Sequence, residues 1–165
     1  HREIGRRVVL MLDVGDLFPH FILPDENGET FDSKYLEGIR YIVYFYPKDN
    51  TSGCTKEAQT FNEVYTKLMI RNVPVIGISK DSPESHRKFI AKNDLKFKLL
   101  SDSDHTLMEQ VGAWGKKMMY GKEVEGTIRS TFIIGKDGKV EACWYKVKVD
   151  GHADTVYSTV KSLMQ

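Results

Sequence analysis

The chain has 165 residues, 41% of them hydrophobic and 28% charged, enough to bury a continuous core and unlike disordered, collagenous or membrane compositions. Lys and Arg total 24 against 23 Asp and Glu, a net charge of +1, which gives no electrostatic case for nucleic acid or an anionic membrane as partner. No apolar run approaches the roughly 20 residues of a transmembrane helix, and Cys54 and Cys143 lie too far apart for a CxxC pair or a disulfide scaffold, so a reducing cytoplasm is expected.

The opening HREIGRRVVLMLDVGD lacks the long apolar region and cleavage site of a signal peptide. Residues 1–12 are read as an N-terminal extension or an added tail, with the natural start expected upstream because His1 stands where Met would, and 13–165 as a single domain. Asn27-Gly28 predicts a hairpin between short strands. Ser33 is expected to cap a short helix through Leu36, ended by Gly38, before a buried strand from Tyr41 to Tyr46.

From Thr55 to Arg71, apolar Ala58, Phe61, Val64, Tyr65 and Leu68 recur at helical spacing. Pro74 permits no continuation, and Val73 to Ser79 reads as an interior parallel strand. Ser82 and Pro83 open a helix to Asn93 with Phe89 and Ile90 inward. A strand follows near Lys98 to Leu100, and Asp102 or Ser103 starts a helical turn through Val111. Gly112, Gly115 and Gly121 are read as an irregular, exposed connection. Ile128 to Ile134 and Val140 to Val149, joined by Lys136-Asp137-Gly138-Lys139, predict an antiparallel hairpin, and a helix runs from about His152 to Leu163. This order defines an α/β chain with a central mixed β-sheet flanked by helices.

Chemistry concentrates where the strand Tyr41 to Tyr46 gives way to a helix start at Cys54. A thiol there sits among unpaired backbone N–H groups at the positive end of a helix dipole, which favours the reactive thiolate. A dithiol exchanger would carry a second cysteine three residues earlier, and that position is Thr51, so disulfide exchange is disfavoured.

PKDNTSGC contains the PxxxTxxC signature of peroxiredoxins, and YFYPKDNTSGCTKEA resembles their Q-type, or bacterioferritin-comigratory-protein, branch. VGDLFPHFILPDENGETF, VIGISKDSPESHRKF, LLSDSD, IRSTFIIGKDGKV and KVKVDGHADTV are similar to successive segments of that family, in order. The resemblance implies a thioredoxin-like fold with an N-terminal β-hairpin extension, and a thiol-dependent peroxidase acting on hydrogen peroxide and organic hydroperoxides. Cys54 is then the peroxidatic nucleophile, oxidised to sulfenic acid. Thr51 would hydrogen-bond thiolate and peroxide, Pro47 would shield the pocket, and Arg129 of IRSTF would stabilise developing negative charge. The backbone N–H groups of Gly53 and Cys54 would hold the peroxide. Glu57 either orients Arg129 or simply answers the helix dipole. Phe45 and Trp144 are read as core. No cofactor or metal is expected, since His20, His86, His105 and His152 follow no compact zinc spacing.

The chain departs from the family pattern where a resolving cysteine often stands five residues after the peroxidatic one: that position is Gln59. The segment Pro83 to Asn93 holds no cysteine either. Cys143, in EACWYKVKV, is expected to be a small core residue, a disfavoured resolving thiol. A one-cysteine cycle follows, with an external reductant, either a small thiol or a thioredoxin-like protein. Ser52 replaces the usual proline before Gly53, altering loop stiffness. The alternative is a peroxide-sensing or chaperone-like interaction protein switched by Cys54 oxidation. The expected assembly is a monomer or weak homodimer, with neither nucleic acid nor membrane as partner.

Overall fold

The computed structural model describes residues 11–165 and, before them, the backbone of two paired strands, β1 (Arg2–Ile4) and β2 (Arg7–Val9). His1 and the rest of the expected extension up to residue 10 lie outside the described residues. Asn27-Gly28 turns β3 (Ile22–Pro24) into β4 (Thr30–Asp32) as predicted. The short helix that follows is a 3-10 turn over Ser33–Leu36, capped by Asp32 and not by Ser33. The Asp32 carboxylate accepts from the Lys34 N–H, while the Ser33 hydroxyl accepts from Phe21 N–H and ties the hairpin to the segment before it.

The central sheet has the order β11-β10-β5-β6-β7. β5 (Tyr41–Phe45), β6 (Val75–Ser79) and β7 (Lys98–Ser101) run parallel, and β10 (Ser130–Ile134) is antiparallel to both β5 and β11 (Val140–Tyr145). Every residue of β5, β6 and β10 is buried, which is why these strands read as continuous apolar runs instead of alternating ones.

Side-chain alternation divides the core into two layers. On one face Ile42, Tyr44, Tyr46 and Ile133 meet α1 (Ser52–Ile70) and α4 (His152–Leu163), with Phe89 of α2 (Pro83–Asn93) closing one end. On the other, Val43, Phe45, Phe132 and Ile134 pack against Phe18, Phe21 and α3 (Thr106–Val111). Gly77 in β6 is fixed by this packing, since a Cβ there would lie 2.7 Å from a Leu99 methyl and 3.0 Å from the Tyr44 ring. Tyr44 in turn stacks on Phe61 of α1 at 4.6 Å.

Three expectations change. α3 begins at Thr106 because His105 adopts a left-handed φ of 51°, while Asp102 still serves the helix by accepting from the Leu107 and Met108 N–H groups. The glycine-marked connection after α3 is a hairpin, β8 (Trp114–Met119) and β9 (Lys122–Thr127), turned by Tyr120 and Gly121 at φ 52° and 77°. Two successive positive φ values belong to the turn type that matches strand twist. β11 stops at Tyr145, because Lys146 turns the chain at φ 51°.

Candidate active site

Cys54 is the first member of the buried stripe of α1, followed by Ala58, Phe61, Val64 and Leu68. The spacing that builds the core-facing side of the helix therefore also presses the thiol inward, leaving Cys54 1% exposed in the first helical turn. Thr51 is the N-cap residue; its carbonyl accepts the first helical bond from Thr55 N–H, and its hydroxyl donates to the Lys48 carbonyl at 2.8 Å. The N–H groups of Ser52, Gly53 and Cys54 precede the first residue with an acceptor inside the helix and converge on one end of it.

Arg129 stands one residue before β10, whose Ser130 pairs with Phe45 at the end of β5. This register brings a cation from the antiparallel strand to the helix start. Its Nη2 donates to Cys54 Sγ at 3.4 Å and its Nη1 to Glu57 Oε1 at 2.6 Å. Gly53 leaves room for the guanidinium, since a Cβ there would lie 3.4 Å from Nη2. Glu57 does more than answer the helix dipole, because it occupies the buried stripe, is 1% exposed and bonds Arg129 directly. Pro47 and Arg129 line a cleft of about 500 Å³ together with Lys116, Lys117, Met118, Thr127, Ile128 and Lys146. Phe45 and Trp144 belong to the packing of the two core layers.

Burial pushes the Glu57 carboxyl up to about 7, with Arg129 opposing that rise. Burial pulls the Arg129 guanidinium down, but the negative charges of Glu57 and Cys54 outweigh it and the net direction is up. Arg129 therefore stays a cation in the site. His152, donated to or accepting at Thr131 Oγ1 over 2.7 Å, is lowered to about 4 by burial and then by the Arg129 charge.

The two shifts act on stability in opposite senses. Between 4.5 and about 7 the folded chain holds a Glu57 proton that the unfolded chain releases, so this contribution is full at low pH and lost as pH rises through 7. Its size is roughly 3 kcal/mol. For His152, between about 4 and 6.5, the unfolded chain binds the extra proton, and stability rises with pH. Glu57→Gln should remove the first trend and leave urea-unfolding stability climbing across that lower window. A variant curve parallel to the wild-type curve would contradict this reading of Glu57.

A second polar cluster lies beneath the loop between β5 and α1. Asp49, buried in that loop, accepts from Tyr46 Oη at 2.6 Å and Ser85 Oγ at 2.9 Å, and sits 2.8 Å from His86 Nδ1. His86 of α2 is fully buried and its Nε2 donates to the Leu100 carbonyl at 3.0 Å. Asp81 accepts from Asp49 N–H and Ser79 Oγ. Asp49, Asp81 and His86 place their donor atoms within 4.8 Å of one another, and the bonds just described engage all three with the protein itself. The cluster holds the segment Pro47 to Thr51 against α2 and β6. Sequence reasoning passed over Asp49 and took His86 as one of the scattered histidines. The available signal was His86 three residues before Phe89, on the inward face of its helix.

Cys143 faces the other way. It pairs with Phe132 in the sheet and packs in the layer opposite Cys54, its Sγ 3.7 Å from the Leu12 carbonyl. Burial raises its thiol first, and Asp13 and Asp16 add to the rise. A disulfide requires Cβ vectors that point toward each other, and the sheet separates these two side chains. Gln59, at the position of a local resolving cysteine, donates to Asn93 Oδ1 at 3.1 Å and ties α1 to α2.

A thioredoxin-like sheet with a lone cysteine at a helix start, bonded to a half-buried arginine, defines the class of thiol peroxidases. Residues 14–143 match the model of the AhpC/TSA family. A putative peroxiredoxin bcp of Coxiella burnetii is 46% identical over 147 residues, covering 89% of this chain and 97% of that one. Peroxiredoxin Bcp of Escherichia coli is 42% identical over 150 residues, covering 91% and 96%. Among solved structures, the bacterioferritin comigratory protein of Xanthomonas campestris, described for its alkyl peroxide reduction activity, superposes with a TM-score of 0.85 at 36% identity, covering 94% and 99%. A cysteine-to-serine mutant of Xylella fastidiosa PrxQ gives 0.88 at 34%, covering 93% and 98%. The chain belongs to the AhpC/TSA family, and within it to the Bcp, or Q-type, peroxiredoxins. Among the described residues no helix is long and apolar enough to cross a membrane.

Proposed function

We propose that this peroxiredoxin reduces hydrogen peroxide and organic hydroperoxides in the cytoplasm by a one-cysteine cycle, as a monomer or weak homodimer with one thioredoxin-like domain over 13–165. The Cys54 thiolate attacks the terminal peroxide oxygen; an S–O bond forms, the O–O bond breaks, and the alkoxide leaves and takes a proton. The observation that carries this reading is the 3.4 Å bond from Arg129 to Cys54 Sγ at a helix start. There the guanidinium and the Gly53 and Cys54 N–H groups meet negative charge as it passes from sulfur to the departing oxygen. The Thr51 hydroxyl spends its proton on Lys48 and keeps lone pairs to accept from a hydroperoxide. Pro47 covers one side of the cleft and Glu57 positions Arg129. An external thiol then attacks the sulfenic sulfur, expelling water, and a second thiol releases Cys54 as a disulfide forms between the two donors.

Mass spectrometry after one equivalent of peroxide tests the cycle. The expected products are Cys54 sulfenic acid or, with an external thiol present, a mixed disulfide at Cys54. An intramolecular Cys54–Cys143 disulfide would overturn the one-cysteine proposal.

A further inference from the structure

The hairpin of β8 and β9 keeps three consecutive large apolar side chains in water: Tyr120 is 98% exposed, Met118 68% and Met119 47%. The fold does not need them there. Among the described residues the two strands pair only with each other, and the base of the hairpin is fixed by Trp114, whose ring stacks on His105 at 3.9 Å. Tyr120 also stands at φ 52°, beside Gly121 at 77°. That turn favours Asn-Gly, and a bulky side chain is an outlier at a left-handed backbone position. A ring that is 98% exposed supplies no packing in return, and a disfavoured backbone held without local compensation points to a use outside the fold. Exposed apolar surface on a fixed base marks an interaction site, and methionine adapts such a surface to its partner.

The neighbours of the tip say what covers it. Lys116, Lys117 and Met118 of β8 line the cleft whose Arg129 bonds Cys54, so the tip stands beside the opening to the buried thiol. Both carboxylates of β9 are engaged within the hairpin, Glu123 by Lys116 at 3.7 Å and Glu125 by Trp114 Nε1 at 3.4 Å. Lys117, Lys122 and Lys146 form no ion pair among the described residues. The surround of the apolar tip is therefore cationic. A second copy of this chain across a two-fold axis would set these lysines against their own counterparts, whereas an acidic partner meets them with opposite charge.

We infer that Met119 and Tyr120 are the docking surface for a protein reductant, a dithiol protein of thioredoxin type with an acidic rim around an apolar patch beside its attacking thiol. This rests on the one-cysteine peroxidase reading and adds where the reductant binds. The partner's thiolate attacks the Cys54 sulfenic sulfur: an S–S bond forms, the S–O bond breaks, and the hydroxide takes a proton and leaves as water. The partner's second thiol then displaces Cys54 as a thiolate, and the partner departs oxidised to its disulfide.

The test follows steady-state peroxide turnover with two reductants: an acidic bacterial thioredoxin kept reduced by its reductase and NADPH, and dithiothreitol, which is too small to span the tip and the thiol together. The variant carries Met119→Thr and Tyr120→Asn. Neither side chain lines the cleft, and Asn-Gly is the favoured pair for this turn, which keeps the hairpin folded. kcat/KM for thioredoxin is expected to fall about tenfold, the loss of an interface hot spot, while kcat/KM for dithiothreitol and for peroxide stays at the wild-type value. Lys122→Glu should lower the thioredoxin value severalfold and flatten its dependence on salt. The docking inference is overturned, and the peroxidase reading left standing, by an unchanged thioredoxin kcat/KM in the double variant, by an equal fall with dithiothreitol, or by wild-type turnover with dithiothreitol alone. No peroxide consumption by the wild type with either reductant overturns both.

Discussion

His86→Leu is expected to lower unfolding stability by about 2 to 5 kcal/mol, the cost of a buried carboxylate losing one of its hydrogen-bond partners together with a buried carbonyl losing its donor. The side chains of His86 and Asp49 are 0% and 1% exposed, so water cannot replace the lost partner. Leucine would fill most of the imidazole volume in the layer beside Phe89, which keeps cavity formation a minor part of the loss. The Leu100 carbonyl would also lose its donor. Urea unfolding measures the effect. Adding Asp49→Leu to His86→Leu should restore part of the stability, because the buried carboxylate left one partner short is then gone. The loop from Pro47 to Thr51 should lose its anchor in the single variant, and the rate of Cys54 oxidation should fall with it. A His86→Leu protein as stable as the wild type would contradict the role given to this cluster.

Helices whose apolar stripes are continuous were legible from residue order alone. Ser82, Pro83 and Asn93 bound α2 where capping chemistry puts them, and the stripe of α1 includes Cys54 itself. Glu57 could have been placed with more force, because its spacing from Cys54, Phe61 and Val64 puts it on the buried side, where a carboxylate needs a cation. The β8–β9 hairpin was illegible for a physical reason. Its residues are exposed or half-exposed on both faces apart from Thr127, so no period of two survives to announce a strand. The Tyr120-Gly121 turn was its one local signal.

The site is more distributed than the elements. Nothing in the periodicity of IRSTF points Arg129 at a cysteine 75 positions earlier; only the family resemblance did, and the register of β10 on β5 supplies the cause. Asp49 and His86 are 37 positions apart and meet because α1, β6 and the start of α2 return the chain to the same end of the sheet. Cys143, expected to be a small core residue, is half-buried against the layer opposite Cys54, and strand alternation gives the reason: Phe132 and Cys143 share the face that α1 does not cover.

Cys54→Ser should reduce peroxide consumption at least ~10³-fold, since the hydroxyl that replaces the thiol is a far weaker nucleophile and, among the described residues, no other thiol meets the Arg129 guanidinium. Serine is nearly isosteric, so the α1 stripe and the bond to Thr51 that opens the helix should persist, and unchanged circular dichroism would separate chemistry from folding. The direct measurement is peroxide consumed by prereduced protein without added reductant, for wild type, Cys54→Ser and Cys143→Ser. One equivalent consumed by wild type and by Cys143→Ser, with none by Cys54→Ser, is the predicted result. Consumption by Cys54→Ser at the wild-type rate would contradict the assignment of Cys54 as the peroxide-reacting thiolate.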